Sequence, residues 1–202
     1  MSQNNKKRNI LTKIAKELNT IVETMLISFF IVSMVFTYFF KVATVKGSSM
    51  ENTLMPKDRI IALSIYPDIK RGDIVIINAQ DAVMLDENGN PSAKSGLGKE
   101  IVKRVIAVGG QTVDIDFEAG DVYVDGEKLS ESYITGLTHL DEGAFTGQYP
   151  ITVPDGYIFV LGDNRGVSKD SRSIEIGLIA ESAVNGKVML RISPLENFGF
   201  VN

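Results

Sequence analysis

Glu100-Ile101-Val102-Lys103-Arg104-Val105-Ile106-Ala107-Val108 is the stretch on which the reading of the fold turns. Five of its nine residues are β-branched, and it lies between the polar stretch Asp86–Lys99 and Gly109-Gly110. A run of that length and composition, so bounded, is the pattern of a strand. Alternation then puts Lys103 on the same face as Ile101 and Val105, and Arg104 on the other. Working outward, runs of the same kind recur at Arg59–Ser64, Asp73–Ala79, Thr112–Asp116, Asp121–Val124, Tyr157–Leu161 and Lys187–Ile192. Val124-Asp125-Gly126 is a hairpin-turn signal, and Val153-Pro154-Asp155-Gly156 marks a turn before the Tyr157 run. The body of the chain is therefore expected to be mainly β, built of antiparallel sheets. Asp86–Lys99, rich in Gly, Asn and Ser, reads as an exposed loop between two strands.

Toward the N-terminus the pattern changes. Thr24 to Phe40, TMLISFFIVSMVFTYFF, carries no charge, and extended back to Leu18 it reaches the length that spans roughly 30 Å of hydrocarbon. Before it stand Lys6, Lys7, Arg8, Lys13 and Lys16 against Glu17, a basic flank that the positive-inside rule places in the cytoplasm. Ile10, Ile14 and Leu18 recur at helical spacing, so the helix is expected to begin inside that flank. A cleaved secretory signal would need small residues at −3 and −1 of a site beyond the run, and Lys41 stands where one is wanted beside Ala43. The reading is a retained anchor: residues 1–17 cytoplasmic, 18–40 transmembrane, and 41–202 an extracytoplasmic β-rich domain. At 202 residues with 44% apolar content, one folded body plus this appendage is what the chain can hold.

Composition narrows the chemistry. A formal net charge of −4 offers no general basic excess for phosphates, which argues against nucleic acid as a partner. With no cysteine and a single histidine, thiol catalysis, disulfides and zinc sites built on Cys or paired His are excluded. The one histidine, His139, falls in a loop-like stretch and reads as a solvated loop residue, so a serine nucleophile here would need a base other than histidine.

Three features remain. Gly47-Ser48-Ser49-Met50 follows the apolar run closely enough to keep Ser49 near the membrane surface, although Gly-Ser-Ser is also what a linker leaving the bilayer looks like. Lys103, held among apolar neighbours, would lose solvation and so favour its neutral amine, which can take a proton from a serine hydroxyl. The bland alternative is a solvated strand residue, with Arg104 a structural or surface charge. Gly162-Asp163-Asn164-Arg165 and Ser168-Lys169-Asp170-Ser171-Arg172 form a dense polar run after the Tyr157 strand, where Asp170 and Arg172 could pair and serine hydroxyls could orient a buried amine.

Taken in order, these segments resemble the type I signal peptidases of the Gram-positive kind, membrane-bound serine proteases with a Ser/Lys dyad. Ser49-Met50-Glu51-Asn52-Thr53-Leu54 is similar to the family's Ser-Met-x-Pro-Thr-Leu box, with Asn52 in place of proline. Arg71-Gly72-Asp73-Ile74-Val75 resembles the next box and Val102-Lys103-Arg104-Val105-Ile106 the lysine box, which here lacks the proline usual after it. Gly162–Arg165 with Ser168, Asp170, Ser171 and Arg172 resembles the last. The resemblance implies Ser49 as nucleophile, Lys103 as general base, Ser168 bonded to the Lys103 amine, and Asp170 with Arg172 as a supporting ion pair. It implies an oxyanion site at the Ser49 N–H, with Gly47 where some members carry a further hydroxyl. Shallow pockets would be walled by Val45, Met50 and Val102. The substrates implied are secretory preproteins with small residues at −1 and −3, met at a lipid bilayer, with no metal or organic cofactor. Three other readings compete: a self-cleaving repressor, which should carry a DNA-binding segment; a catalytically weak or silent assembly factor for surface proteins; and an anchored adhesion domain, which has no use for the last box.

Overall fold

The computed structural model describes residues 2–66 and 68–201, with side chains from residue 13 onward. Two units emerge, Met1–Phe40 and Lys41–Asn202. The first is helix α1, Ser2–Phe39. Its segment Lys13–Phe39 contains an 18-residue window with a mean hydropathy of 1.9, none of it buried. At ~1.5 Å per residue those 27 residues extend ~40 Å, enough to cross a bilayer. The hydroxyls of Thr20, Thr24 and Thr37 donate to carbonyls four residues back, so none of them faces an apolar surrounding unpaired. Lys6, Lys7, Arg8 and Ile10 lie outside the residues whose side chains are described.

The second unit is mainly β, with two short 3-10 turns at Glu181–Ala183 and Leu195–Asn197. In chain order the strands are β1 Phe40–Thr44, β2 Arg59–Leu63, β3 Ile74–Leu85, β4 Pro91–Val108, β5 Thr112–Asp116 and β6 Asp121–Val124. There follow β7 Glu127–Lys128, β8 Ile151–Thr152, β9 Tyr157–Leu161, β10 Ile179–Ala180, β11 Val184–Ser193 and β12 Gly199–Phe200. One sheet runs β1-β2-β11-β3-β4-β9-β10 with β12 added to β11, and a smaller one runs β7-β6-β5-β8. The Val124 turn forms as the sequence predicts: Asp125 and Gly126 both take positive φ, at 54° and 81°. That is the pairing an Asp-Gly two-residue hairpin needs.

Asp86–Lys99 is not the expected loop. β3 and β4 form one long antiparallel hairpin whose pairing runs from Ile74↔Arg104 to Leu85↔Pro91, leaving only Asp86–Asn90 as its turn. The Asp86 carboxylate closes that turn by accepting the N–H groups of Asn88 and Asn90. Alternation was no guide there because the first residues of β4 are exposed on both faces. The second half of β4 is the opposite case, with Lys103 to Ala107 all buried. One cluster packs Val75, Ile77, Val105 and Val160; a second holds Val45, Met50, Leu54, Ile74 and Ile76; a third holds Ile106, Phe145, Phe159 and Leu161.

Two consequences of register place the site. β9 pairs with β4 as far as Leu161↔Arg104, so the next residue, Gly162, leaves the sheet at the level of Lys103. In contrast, β4 before Arg104 has no strand on its outer edge among the described residues, and β1 ends its sheet, so each keeps one edge unpaired.

Candidate active site

Ser49 sits in a loop clasped at its base. Val45 N donates to Asp58 O at 2.9 Å, and Lys57 N to Val45 O at 2.7 Å. Inside the clasp Leu54 N bonds Met50 O at 2.7 Å, and the buried Asp58 carboxylate accepts Met55 N at 2.9 Å and an Arg191 guanidinium N–H at 3.2 Å. Arg191 also donates to Thr53 O at 3.1 Å. Met50 and Leu54 are fully enclosed in the cluster with Ile74 and Ile76, which fixes the turn to the sheet. Asn52, which stands where the resemblance has proline, follows a cis peptide bond, and the bonds just named hold the turn around it. From the other side, Asn164 N donates to Ser49 O at 3.0 Å.

Lys103 Nζ lies 2.8 Å from Ser49 Oγ and donates to Val102 O at 2.9 Å. The lysine is 3% exposed, and burial, the largest influence, pulls its amine down from 10.5 to about 8. The Asp170 charge opposes this, the Lys99 charge adds to it, and Asp163 and Arg172 act in opposite senses with less weight. A desolvated amine beside a hydroxyl is what a serine needs to lose its proton without histidine. His139 is exposed, with Nδ1 3.0 Å from Phe117 O, and is a loop residue outside this arrangement.

The polar run after β9 packs behind the pair. Asp170 and Arg172 form a fully buried ion pair at 2.8 and 2.9 Å, as the sequence suggests. Asp170 also accepts Gly162 N at 3.0 Å, and Arg172 donates to the carbonyls of Arg165 and Ser168, so the run is tied to itself. Ser171 Oγ accepts Val160 N at 2.9 Å. Ser168 departs from the expectation. Its hydroxyl is buried and has no hydrogen-bond partner among the described residues, while the amine contacts Ser49 Oγ and the Val102 carbonyl. Gly162 explains why these groups can crowd together. A Cβ on it would lie 2.1 Å from Ser168 Oγ and 2.5 Å from Ser49 O, so only glycine fits between them.

Arg104 is structural and not a surface charge. It is 2% exposed, pairs with Asp163 through two bonds of 2.9 and 2.7 Å, and lies 4.0 Å from the centroid of the Tyr133 ring. Thr53 donates to the same Asp163 carboxylate, which links the Ser49 turn to β4. A second buried pair joins Arg165 to Glu131, with Thr138 2.6 Å from the same guanidinium. Thr53, Asp163, Asn164 and Arg165 stand in motifs quoted from the sequence but received no task there, and Glu131 was not singled out. The one signal available was the density of charge directly after an apolar strand.

A groove of about 910 Å³ opens beside Ser49 and Lys103. One wall is the stretch from Lys41 to Met50, which starts in β1 and continues into the Ser49 loop, and the other is the stretch from Leu97 to Lys103 in β4; both strands have an unpaired edge. Val45, Met50 and Val102 all line it and pack in one cluster. An ion pair of Lys41 with Glu100, which also accepts from Asn185, crosses the groove at the end away from the serine.

The signal peptidase family, peptidase S26, matches residues 18–193. The chain is similar to signal peptidase IB of Staphylococcus aureus (strain MRSA252), with 31% identity over 201 residues, 92% of this chain and 94% of that one. It is also similar to signal peptidase I T of Bacillus subtilis (strain 168), at 32% over 181 residues, 85% and 84% of the two chains. A crystal structure of a signal peptidase I from Enterococcus faecalis V583 aligns at 25% identity with a TM-score of 0.42, covering 61% of this chain and 98% of that one.

Proposed function

The chain belongs to the signal peptidase family, peptidase S26, and as a serine protease that removes signal peptides from secretory preproteins we propose that it works through Ser49 as nucleophile and Lys103 as general base. The observation that carries this is the 2.8 Å approach of a buried, depressed-pKa amine to a serine hydroxyl at the floor of an open groove. With Lys103 neutral, the Ser49 O–H donates to Nζ, and Oγ attacks the scissile carbonyl carbon as the proton passes to the amine. The Ser49 N–H, which has no acceptor among the described residues, faces the oxyanion that forms. Lys103 then protonates the departing amine of the mature chain as the C–N bond breaks. A water gives its proton to Lys103 and attacks the acyl-enzyme, which frees the signal peptide and restores Ser49.

Supporting roles follow from the surroundings. Asp170 and Arg172 hold the polar run against Lys103, and Ser168 Oγ is the acceptor for the Lys103 N–H that is engaged neither with Ser49 nor with the Val102 carbonyl. Val45, Met50 and Val102 leave shallow apolar space that admits alanine and excludes larger side chains, giving the preference for small residues at −1 and −3. The apolar helix is the anchor, read as residues 18–40 in the bilayer, 1–17 in the cytoplasm and 41–202 outside it. The test is cleavage of a preprotein with an Ala-x-Ala site by the full chain and by Ser49→Ala and Lys103→Ala, in detergent. Loss of cleavage in both folded variants is the expected result; cleavage surviving Ser49→Ala overturns the mechanism.

A further inference from the structure

The groove that holds Ser49 and Lys103 is electropositive on a chain of formal net charge −4. Besides Lys103 it is lined by Lys41, Lys46, Lys99 and Lys169, against Glu100 as the one carboxylate among its lining residues. Two of these are locally neutralised, Lys41 by Glu100 and Lys169 by Glu175. Lys46 and Lys99 are exposed and have no ion-pair partner among the described residues.

Their positions have a register. The Lys41–Glu100 pair crosses the groove at one end and Ser49–Lys103 at the other, so the two walls run in the same direction toward the dyad. Lys99 lies four positions before Lys103 on β4 and on the same strand face, ~13 Å away at ~3.3 Å per residue. Lys46 lies three positions before Ser49 on the facing wall. An extended substrate with its scissile carbonyl at Ser49 advances by the same ~3.3 Å per residue. Val45 and Val102, assigned above to the −1 and −3 pockets, stand on this side of the dyad. The residues passing between the two ammonium groups are therefore those preceding the cut.

We propose that Lys46 and Lys99 form a charge-selective subsite for the second to fifth residues before the scissile bond, one that favours a carboxylate side chain there and disfavours a basic one. The inference rests on the Ser49/Lys103 reading and adds to it a feature that the small pockets at −1 and −3 do not specify. Two cations lining one groove without an ion-pair partner among the described residues repel, and a carboxylate entering that groove relieves the repulsion. Both groups are solvated, so the effect is several-fold and weakens with salt.

The test uses the full chain in neutral detergent and peptides with alanine at −1 and −3, carrying Asp, Asn or Lys at −2, −4 or −5. At low salt, kcat/KM is expected to rank Asp above Asn above Lys, with about fivefold or more between the extremes at one position at least, narrowing in concentrated salt. Rates are compared with the Asn peptide on the same enzyme, so changes in overall activity drop out. A K46E/K99E variant reverses the ranking, and K46Q/K99Q abolishes it. Equal cleavage of all three peptides by the unaltered chain, or a ranking that survives in both variants, overturns the proposal while the dyad stands. Binding to phosphatidylglycerol vesicles that K46E/K99E abolishes, with no ranking among peptides, assigns the lysines to lipid and overturns it too. An Asn peptide cleaved equally by Ser49→Ala would sink the dyad and this subsite together.

Discussion

Raising the pH should switch the enzyme on through one lysine. With Lys103 at about 8, roughly a tenth of the molecules carry the neutral amine at pH 7, about half at pH 8 and roughly nine tenths at pH 9. If that amine is the base, kcat/KM climbs about tenfold between pH 7 and 9 and approaches tenfold per unit below pH 7. An amine left at 10.5 would be neutral in roughly one molecule in three thousand at pH 7, so burial raises the working population about 300-fold. The assay is kcat/KM from pH 6 to 10 at fixed ionic strength, on a peptide with no titrating group. A Lys99→Gln variant supplies the internal check. Removing a charge that helps to hold the amine down must move the inflection to higher pH. A profile flat from pH 7 to 9, or an inflection that Lys99→Gln moves downward, would refute the reasoning.

The same titration appears in stability. Lys103→Met is expected to be more stable than the unaltered chain by about 3 kcal/mol at pH 7 in denaturant melts. Because the folded amine titrates below the unfolded one, that gap is full below about 8 and closes as the pH rises to 10.5. Gly162→Ala forces a Cβ onto the Ser49 carbonyl and the Ser168 hydroxyl, and should cost about 1–3 kcal/mol in thermal melts while lowering kcat more than it raises KM. Asp163→Asn leaves the Arg104 guanidinium buried without its carboxylate, for a loss of about 3–5 kcal/mol; a double Asp163→Leu, Arg104→Met variant should recover much of it. Gly47→Ser places a hydroxyl where a Cβ meets nothing within 4 Å, and should raise kcat by adding a donor beside the oxyanion, with an unchanged or lower kcat counting against that site.

How much of this could be read from the chain depended on what each face of a strand touches. Lys103 was legible because a charge inside Ile-Val-Lys-Arg-Val-Ile is conspicuous whichever way the strand faces. From the sequence alone Arg104 stands between a structural and a surface role because alternation assumes one wet face, and this part of β4 is buried on both. The outer half of the same strand failed for the converse reason: Pro91 to Ser95 are wet on both faces and so resemble a loop. Asp170 with Arg172 could be paired from their spacing, whereas Glu131 with Arg165 and Asp163 with Arg104 join residues 34 and 59 positions apart, which no local pattern reveals. Ser168 shows the limit of carrying a role across by motif. The residue is in place and buried, but its hydroxyl has no hydrogen-bond partner among the described residues.

The unpaired edges of β1 and β4 bear on how copies of this chain behave when crowded together. An exposed strand edge is a template that any extended segment can extend, including the matching edge of another molecule. Lys46 follows one edge, and Lys94 and Lys99 stand on the other, with Pro91 removing a donor at its start. Two such edges meeting would bring like charges face to face, while a lone peptide with few or opposite charges meets no such barrier. A protease that must hold a strand-shaped opening ready for its substrate has also to keep its own kind out, and here the same lysines discourage both basic peptides and neighbouring enzymes.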